Sequence, residues 1–173
     1  MPDFHAARRL HLRHAAAAAL AVAAYLALPG CATLPPPGKL TPAQVAVLKN
    51  QGFTLTDSGW ELGLPHKVLF RFDDDVIAPE RQAALQRMGH MLHDAGIESL
   101  RIDGHTDDAG TVEYNLLLSR RRAEAVARVL AGCGFPRDRL EIRGMGKGHP
   151  IADNRTAAGR AENRRVAIIV SVD

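Results

Sequence analysis

The sequence predicts an α/β (α+β) fold: a two-layer sandwich in which helices cover one face of a mixed β-sheet. Short segments with alternating apolar residues, such as Leu100 and Ile102, indicate strands, because strand side chains alternate between faces. Longer segments with apolar residues at helical spacing lie between them, and the longest runs from about residue 112 to 131. The last segment, residues 166–172, is almost wholly apolar, which indicates a central strand.

Residues 1–30 have the layout of a lipoprotein signal peptide. Three arginines precede an apolar run, residues 15–28, that is too short to span a bilayer comfortably. The tetrapeptide at positions 28–31, LPGC, resembles a lipobox, in which Cys31 becomes the lipidated N-terminus, although its proline replaces the usual small residue. A short uncleaved membrane anchor is the alternative. By resemblance to Gram-negative lipoproteins, Ala32 predicts sorting to the outer membrane, facing the periplasm.

Residues 31–40 are predicted to form a proline-rich tether. Fully extended, residues 32–40 reach only about 30 Å, so the tether is short. Of the net charge of +3, residues 1–30 carry three arginines and one aspartate, a net +2, which leaves +1 on the mature chain. This balance, without a basic patch interleaved with aromatic residues, argues against nucleic acid as a partner.

Residues 41–64 are predicted to form a helix followed by a small hairpin. Thr41 at the N-cap, Pro42 and Gln44 favour a helix start, and Gly52 ends the helix. Alternating apolar residues on both sides of the next glycine, Gly59, predict two short strands.

The domain proper is predicted at residues 65–173, with the order strand, helix, strand, helix, strand, short helix, strand. In the first strand, Val68, Phe70 and Phe72 are expected to face the core. A helix opens at Pro79. Its predicted apolar face consists of Leu85, Met88 and Leu92.

The stretch from Asp103 to Val126 carries the candidate binding chemistry. Asn115, Ser119 and Arg122 are spaced i, i+4 and i+7, so they share one stripe of the long helix, and Asp107 precedes that helix. A carboxylate and a guanidinium held apart on one rim suit a zwitterion, because Arg binds a carboxylate and Asp binds an ammonium group. An ordinary surface ion pair between Asp107 and Arg122 is the alternative.

Two motifs carry a family resemblance. The first comprises Gly104-His105-Thr106-Asp107, Asn115 and Leu118-Ser119-x-x-Arg122-Ala123-x-x-Val126, and the second is Asn154-x-Thr156-x-x-Gly159-Arg160-x-x-Asn163-Arg164-Arg165-Val166. Over about residues 65–172 they resemble the OmpA C-terminal-like domains, a family that includes Pal and MotB. The resemblance implies a βαβαβ(α)β domain that binds peptidoglycan through the diaminopimelate of the stem peptide and has no enzymatic activity.

The same resemblance implies which residues line the ligand pocket. They are Asp73, Thr106, Asp107, Asn115, Arg122 and Arg164. Arg122 and Arg164 are expected to hold the ligand carboxylate, and Asp107, helped by Asp73, the ammonium. Asn115 is expected to hydrogen-bond the polar end of the ligand, with Thr106 at the rim. Asp73 also suits a turn, since it begins a run of three aspartates.

The segment LTPAQVAVLKNQGFTLTDSGWELGLPHKVLF resembles the N-terminal region of YfiB-type lipoproteins. That resemblance implies a signalling role, in which the lipoprotein sequesters a periplasmic YfiR-like repressor and so releases a diguanylate cyclase. The matching partner-binding positions are Leu48, Phe53 and Trp60; alternatively, they pack on the domain body. A purely structural, Pal-like tether between outer membrane and cell wall is the second functional hypothesis, and a homodimer stays open.

Catalytic residues, cofactors and metal sites are not predicted. Asp103, His105, Asp107 and Asp108 lie near one another, but the sequence has no second cluster with metal-ligand spacing. Ser119 lies within a predicted helix and not on an exposed turn, so a Ser–His–Asp arrangement is not expected.

Overall fold

The computed structural model describes residues 39–70 and 76–172, which belong to one compact unit spanning Pro35–Asp173. The helices are α1 (Pro42–Asn50), α2 (His66–Leu69), α3 (Pro79–Asp94), α4 (Val112–Ala131) and α5 (Ala157–Asn163), with a 3₁₀-helix at Arg137–Arg139. The strands are β1 (Thr54–Thr56), β2 (Gly59–Pro65), β3 (Leu100–His105), β4 (Leu140–Gly146) and β5 (Arg165–Val170). Within the described residues, no helix combines the length and the apolar character needed to cross a membrane.

The five strands form one mixed sheet in the order β1-β2-β5-β3-β4. β3 and β4 are parallel and are connected by α4, whereas the other neighbouring strands are antiparallel. β5 lies in the middle of the sheet, and all six of its residues are buried. The central position predicted from its apolar composition is therefore confirmed.

Alternation along the strands divides the sheet into a core face and an outer face. Val166, Ile168 and Val170 of β5 belong to the hydrophobic core. The residues between them point to the opposite side, because strand side chains alternate. We call this side, which carries Arg101, Asp103, Arg143, Arg165, Ala167 and Ile169, the outer face.

The helical layer lies on the core face. α3 buries the predicted apolar residues Leu85, Met88 and Leu92. α4 spans the residues predicted for it, and its buried positions include the stripe of Asn115, Ser119 and Arg122. Together with the mixed sheet, these helices confirm the predicted two-layer α/β sandwich.

α4 approaches β3 and β4 closely because two strand positions in the contact are glycines. A Cβ atom on Gly104 would overlap the carbonyl of Ser119, and one on Gly144 would lie 2.5 Å from the carbonyl oxygen of Leu116. Ser119 then links the two layers: its hydroxyl donates to the Leu116 carbonyl at 2.9 Å and accepts from the N–H of Gly146 at 3.0 Å. This contact fixes the first half of α4 relative to the strand ends.

The sequence predicted a first strand that contains Val68, Phe70 and Phe72. This prediction is wrong for the residues that the structure describes. Residues His66–Leu69 form the short helix α2, in which Val68 is exposed, while Phe70 after it is buried. The physical reason is that β2 continues to Pro65 and already occupies the position beside β5. Phe72 lies outside the described residues.

Residues 41–64 are built into the domain. α1 begins with the predicted capping box, and the predicted hairpin forms β1 and β2. β2 pairs with β5 along its whole length, so the sheet continues across the boundary drawn after residue 64. Leu48, Phe53 and Trp60 are 0%, 3% and 8% exposed and belong to the core. In this structure they pack on the domain body, which is one of the two interpretations, and do not form a free surface.

The close contact of α4 with the sheet predicts a large effect of one added methyl group. We expect Gly104→Ala to lower the free energy of unfolding by about 1–3 kcal/mol, because the Ser119 backbone must move. Gly63→Ala is the matched strand control, since its Cβ would meet nothing closer than the Arg165 side chain at 3.9 Å. Urea denaturation measures both, and equal midpoints for the two variants would contradict the packing described.

Candidate ligand-binding site

Asp107 and Arg164 form an ion pair at one end of the sheet. Nη1 of Arg164 donates to Oδ2 of Asp107 at 2.6 Å. Asp107 follows the end of β3 and Arg164 precedes the start of β5, and these antiparallel strands place both positions at the same end. The Arg164 side chain is 36% exposed and that of Asp107 is 14% exposed, so the pair is open to solvent mainly on its arginine side.

The loop that carries Asp107, residues 106–111, is shaped by side-chain hydrogen bonds to its backbone. Oδ1 of Asp107 accepts from the N–H of Ala109 at 3.2 Å. Nδ2 of the buried Asn115 donates to the carbonyls of Ala109 at 2.7 Å and Thr111 at 2.9 Å. Asn115 therefore holds the loop in place, and the direct ligand contact predicted for it would require this loop to open.

Residues at the end of β4 support the same loop from the other side. Nζ of Lys147 donates to the carbonyl of Gly110 at 2.8 Å. The N–H of Thr106 donates to the Gly146 carbonyl at 2.9 Å, and the Thr106 side chain is buried. Thr106 thus lies beneath the rim and not on its exposed edge. The supporting role of Lys147 was not predicted, since a lysine after a glycine-rich strand end has no specific sequence pattern.

The second sequence motif includes Asn163, the residue before Arg164, which holds the loop that precedes α5. Oδ1 of the fully buried Asn163 accepts from the N–H groups of Ile151 at 2.7 Å and Ala152 at 3.0 Å. Its Nδ2 donates to the Ala152 carbonyl and to Oδ1 of Asn154, both at 2.8 Å. Because Arg164 is the next residue, this network fixes the backbone from which its guanidinium extends. Membership of the motif is the one sequence signal for this role of Asn163.

Arg122 lies inside the domain and not on an exposed rim. It is 4% exposed, and its guanidinium carbon lies 5.9 Å from the centre of the Phe70 ring, within range of a cation–π interaction. The carboxylate of Asp107 pairs with Arg164 instead. The ion pair of Asp107 therefore involves Arg164, and the predicted separation of Asp107 and Arg122 stays a prediction.

Two of the predicted site residues lie outside the described part of the chain. Asp73 belongs to residues 71–75, and Cys31 precedes residue 39. Among residues 39–70 and 76–172, no group of three or more His, Cys, Asp or Glu side chains is placed to hold a metal ion. The chemistry offered by the described residues at this end of the sheet is the recognition of charge by one carboxylate and one guanidinium.

β3 also places two buried ionisable side chains, Asp103 and His105, on the outer face. Burial, together with the nearby positive charge of Arg165 and with His149, lowers the pKa of His105 to about 3. Burial raises the pKa of Asp103, although the positive charge of Arg101 acts in the opposite direction. His105 is therefore a neutral imidazole near pH 7, with one nitrogen that donates a hydrogen bond and one that accepts.

The lowered pKa of His105 predicts an acid-sensitive fold. In the unfolded chain this histidine takes up a proton near pH 6.5, whereas the folded chain resists protonation until about pH 3. Its contribution to stability is therefore complete above pH 6.5 and is lost as the pH falls from 6.5 towards 3. We expect His105→Gln to reduce the loss of unfolding free energy between pH 7 and pH 4.5 by an amount on the order of 2 kcal/mol.

Urea denaturation at the two pH values measures this effect. His90→Gln is the matched control, because His90 is exposed on α3. The same pH dependence in the parent and in His105→Gln would show that protonation of this buried imidazole does not oppose folding.

Known proteins resemble the chain along nearly all of its length. Residues 69–164 match the OmpA family. The outer-membrane lipoprotein YfiB of Pseudomonas aeruginosa is 46% identical over 166 residues, which cover 96% of this chain and 98% of that protein. A protein named YfiB from Escherichia coli is 46% identical over 147 residues, 84% of this chain and 91% of the relative.

Among solved structures, the peptidoglycan-associated lipoprotein from Burkholderia pseudomallei has a similar fold. Its TM-score is 0.54 at 34% sequence identity, and the match covers 62% of this chain and 87% of that one. Residues 69–164, which match the OmpA family, include β3, β4, the long helix α4 and both members of the Asp107–Arg164 pair. The chain belongs to the OmpA family.

Proposed function

We propose that this protein is an outer-membrane lipoprotein that binds peptidoglycan without chemical turnover, and that Asp107 and Arg164 recognise the zwitterionic end of diaminopimelate. The observation that carries the proposal is the 2.6 Å ion pair between these residues at an exposed end of the sheet. Its setting supports the proposal: the buried Asn115 fixes the loop that carries Asp107, and the buried Asn163, which binds the loop before α5, is the residue next to Arg164. A relative named peptidoglycan-associated lipoprotein supports the choice of ligand.

A zwitterionic ligand can replace the direct contact between Asp107 and Arg164 and still give each side chain a partner of opposite charge. The ligand carboxylate accepts hydrogen bonds from Arg164, and the ligand ammonium donates to Asp107. Each charge has a partner before and after binding, so the exchange avoids the cost of an isolated buried charge. A ligand with one charge would leave Asp107 or Arg164 without its counter-charge. The pair therefore selects against such ligands.

The other residues that the family resemblance places in the ligand pocket also contribute to recognition of the ligand. Arg122 adds a second positive charge beneath the rim, which favours the ligand carboxylate, and Asp73 adds negative charge on the ammonium side. Asn115 and Thr106 contribute by holding the loop that presents Asp107. On this proposal, the polar residues under the rim act mainly by fixing geometry before the ligand arrives, which lowers the entropic cost of binding.

Binding of a diaminopimelate-containing muropeptide tests the proposed site. We expect Asp107→Asn and Arg164→Gln each to weaken binding by about ten- to a hundredfold, because each removes one charge-assisted hydrogen bond worth about 1.5–3 kcal/mol. Isothermal titration calorimetry of the mature domain measures the affinities.

Two controls separate charge recognition from general effects. Arg155→Gln removes an exposed arginine near the same end, paired with Asp153, and is expected to bind like the parent protein. A muropeptide with lysine in place of diaminopimelate lacks the terminal carboxylate and is expected to bind weakly. Equal affinity for the two muropeptides would contradict recognition of a zwitterion.

The anchoring part of the proposal concerns residues 1–40, of which the structure describes only 39 and 40. Cleavage of residues 1–30 leaves Cys31 as a lipidated N-terminus, and residues 31–40 connect it to the domain. Each buried methylene of an acyl chain contributes about 0.8 kcal/mol, and more than one chain is needed for stable anchoring. The similarity to an outer-membrane lipoprotein along nearly the whole chain supports this location.

The finer proposal is a signalling role, in which the protein captures a periplasmic repressor of the YfiR type and so activates a diguanylate cyclase. Its candidate contacts, Leu48, Phe53 and Trp60, are core residues in this structure. Capture through them therefore requires α1 and the hairpin to leave the domain body. The hydrogen bond from Nε2 of Gln44 to the carbonyl of Gly96, at 2.8 Å, is one polar contact that keeps α1 docked.

Weakening this docking contact tests the signalling role. We expect Gln44→Ala to increase repressor capture several-fold, because it removes both the bond to Gly96 and half of the capping box of α1, together about 1–2 kcal/mol. Trp60→Ala is expected to reduce capture. A pull-down of purified YfiR-like protein by the mature chain measures both, with the exposed Gln82→Ala as control.

The same pull-down separates the two cellular roles. Capture that is unchanged by Gln44→Ala and by Trp60→Ala would contradict signalling through this segment. It would favour the second candidate, a structural Pal-like tether, which the burial of Leu48, Phe53 and Trp60 in the docked state supports.

A further inference from the structure

The first two turns of α4 concentrate exposed apolar side chains beside the proposed site. Of the ten large hydrophobic residues that are exposed in the described part of the chain, four lie within residues 112–117. Single exposed apolar residues are ordinary, whereas a cluster of them indicates an interaction surface. This cluster begins directly after the loop that carries Asp107, and it adds an apolar surface to the charged pair.

Tyr114 and Leu117 form the part of this cluster that packing on the sheet does not explain. Leu116 packs against the end of β4. Leu117 is two residues from both Asn115 and Ser119, which are buried, so it lies about 200° around the helix and points away from the sheet. Tyr114 and Leu117 are 52% and 61% exposed and are neighbours at i, i+3. We call these two side chains the α4 patch.

The α4 patch adjoins the loop that presents Asp107. A Cβ atom on Gly110 would lie 3.5 Å from Cδ1 of Tyr114, so the aromatic ring lies beside this loop residue. The preceding residue, Ala109, donates its N–H to Oδ1 of Asp107 at 3.2 Å. The carboxylate and the aromatic ring therefore contact consecutive residues of one loop, whose Cα atoms are about 3.8 Å apart. A ligand only slightly longer than an amino acid can reach both.

Charged side chains of both signs surround the α4 patch. At helical spacing, the neighbours of Leu117 include Glu113, Arg120 and Arg121. Arg120 pairs with Glu124 at 3.0 Å. An apolar centre with a hydrogen-bonding rim suits a sugar ring, which has C–H groups on its faces and hydroxyl groups at its edge. Tyrosine offers the same combination of an apolar body and a polar tip.

A membrane or a protein partner fits the α4 patch less well than a sugar. An anionic membrane surface would meet the carboxylates of Glu113 and Glu124 on this side of the helix, which oppose it. A stable protein interface needs about 800 Å² from each partner, far more than two side chains provide. A ligand already held at Asp107 needs much less surface, because its second contact is intramolecular.

We propose that the α4 patch contacts the glycan strand of peptidoglycan, with Tyr114 against a sugar ring and Leu117 beside it. This inference rests on the proposed function, which supplies the contact of the stem peptide with Asp107 and Arg164. Two amino acids separate diaminopimelate from the sugar in a stem peptide, so an extended stem places the sugar on the order of 10 Å from the zwitterion. That length is sufficient to cross the loop between Asp107 and Tyr114.

Two ligands with the same stem peptide separate the sugar contact from the zwitterion contact. One is the free tripeptide that ends in diaminopimelate, and the other is this tripeptide on its N-acetylglucosamine–N-acetylmuramic acid disaccharide. Isothermal titration calorimetry of the mature chain is expected to show about five- to tenfold tighter binding of the disaccharide peptide. Equal affinities of the parent protein for the two ligands would overturn the inference.

Tyr114→Ala and Leu117→Gln connect the gain in affinity to the α4 patch. Each is expected to reduce the advantage of the disaccharide peptide to less than about twofold, with the parent's affinity for the free tripeptide retained. Leu55→Gln is the matched control, because Leu55 is 63% exposed on β1, and it is expected to keep the full advantage. Variants of the α4 patch that weaken both ligands equally would assign these side chains to the peptide and would overturn the glycan contact.

Asp107→Asn distinguishes failure of this inference from failure of the proposed function. It is expected to weaken both ligands by the same factor and to leave the advantage of the disaccharide intact. Loss of that advantage alone would overturn only the glycan contact. An advantage that persists while Asp107→Asn binds both ligands like the parent would overturn only the role of Asp107, and absence of binding by either ligand would overturn both.

The same Leu117→Gln variant tests the other occupants. Vesicles of phosphatidylethanolamine and phosphatidylglycerol, and sedimentation velocity of the mature chain, are expected to give the same result for the parent and the variant. Vesicle binding or a dimer that Leu117→Gln abolishes would assign the α4 patch to a membrane or to a second copy of the chain, and would overturn the inference.

Discussion

The close packing of α4 on β3 and β4 is the constraint on which the proposed ligand-binding end of this domain depends. Gly104 and Gly144 remove the side chains that would keep the helix away, and Ser119 joins the layers through Gly146. The helix cannot move without breaking this contact, so Asn115, one turn earlier, always meets the loop at the same place. A packing feature of the core thereby determines the position of a charged side chain at the surface.

Asp107 and Arg164 are supported in the same way, each by a nearby buried asparagine side chain. Asn115 holds the loop before α4, and Asn163, next to Arg164, holds the loop before α5, each through more than one backbone hydrogen bond. An amide can donate and accept at once, so a single buried side chain satisfies several loop groups that the sheet leaves unpaired. Asp107 and Arg164 are consequently presented by backbones that are fixed before any ligand binds, which is what recognition of two charges at a set spacing requires.

The elements with long, regular patterns were predictable from the sequence, and the pairing of charges was not. The limits of α4, the apolar face of α3 and the central place of β5 follow from local periodicity and composition. His66–Leu69 was mispredicted because β2 fills the position beside β5, and strand competition depends on residues distant in sequence. The partner of Asp107 was not predictable for a similar reason: Arg122 and Arg164 are both arginines of the motifs, and only the fold shows that Arg122 is buried and that Arg164 pairs with Asp107.

Neighbouring residues of one strand serve opposite sides of the sheet. Arg164, just before β5, extends to the exposed rim, whereas Arg165, the first residue of β5, points to the outer face. The period of a strand makes this division unavoidable, since adjacent side chains cannot share a face. A shift of β5 by one residue would exchange the two arginines and bring Val166 and Ile168 out of the core. The hydrophobic core therefore fixes the register, and with it which arginine meets Asp107 and which one remains with Asp103 and His105.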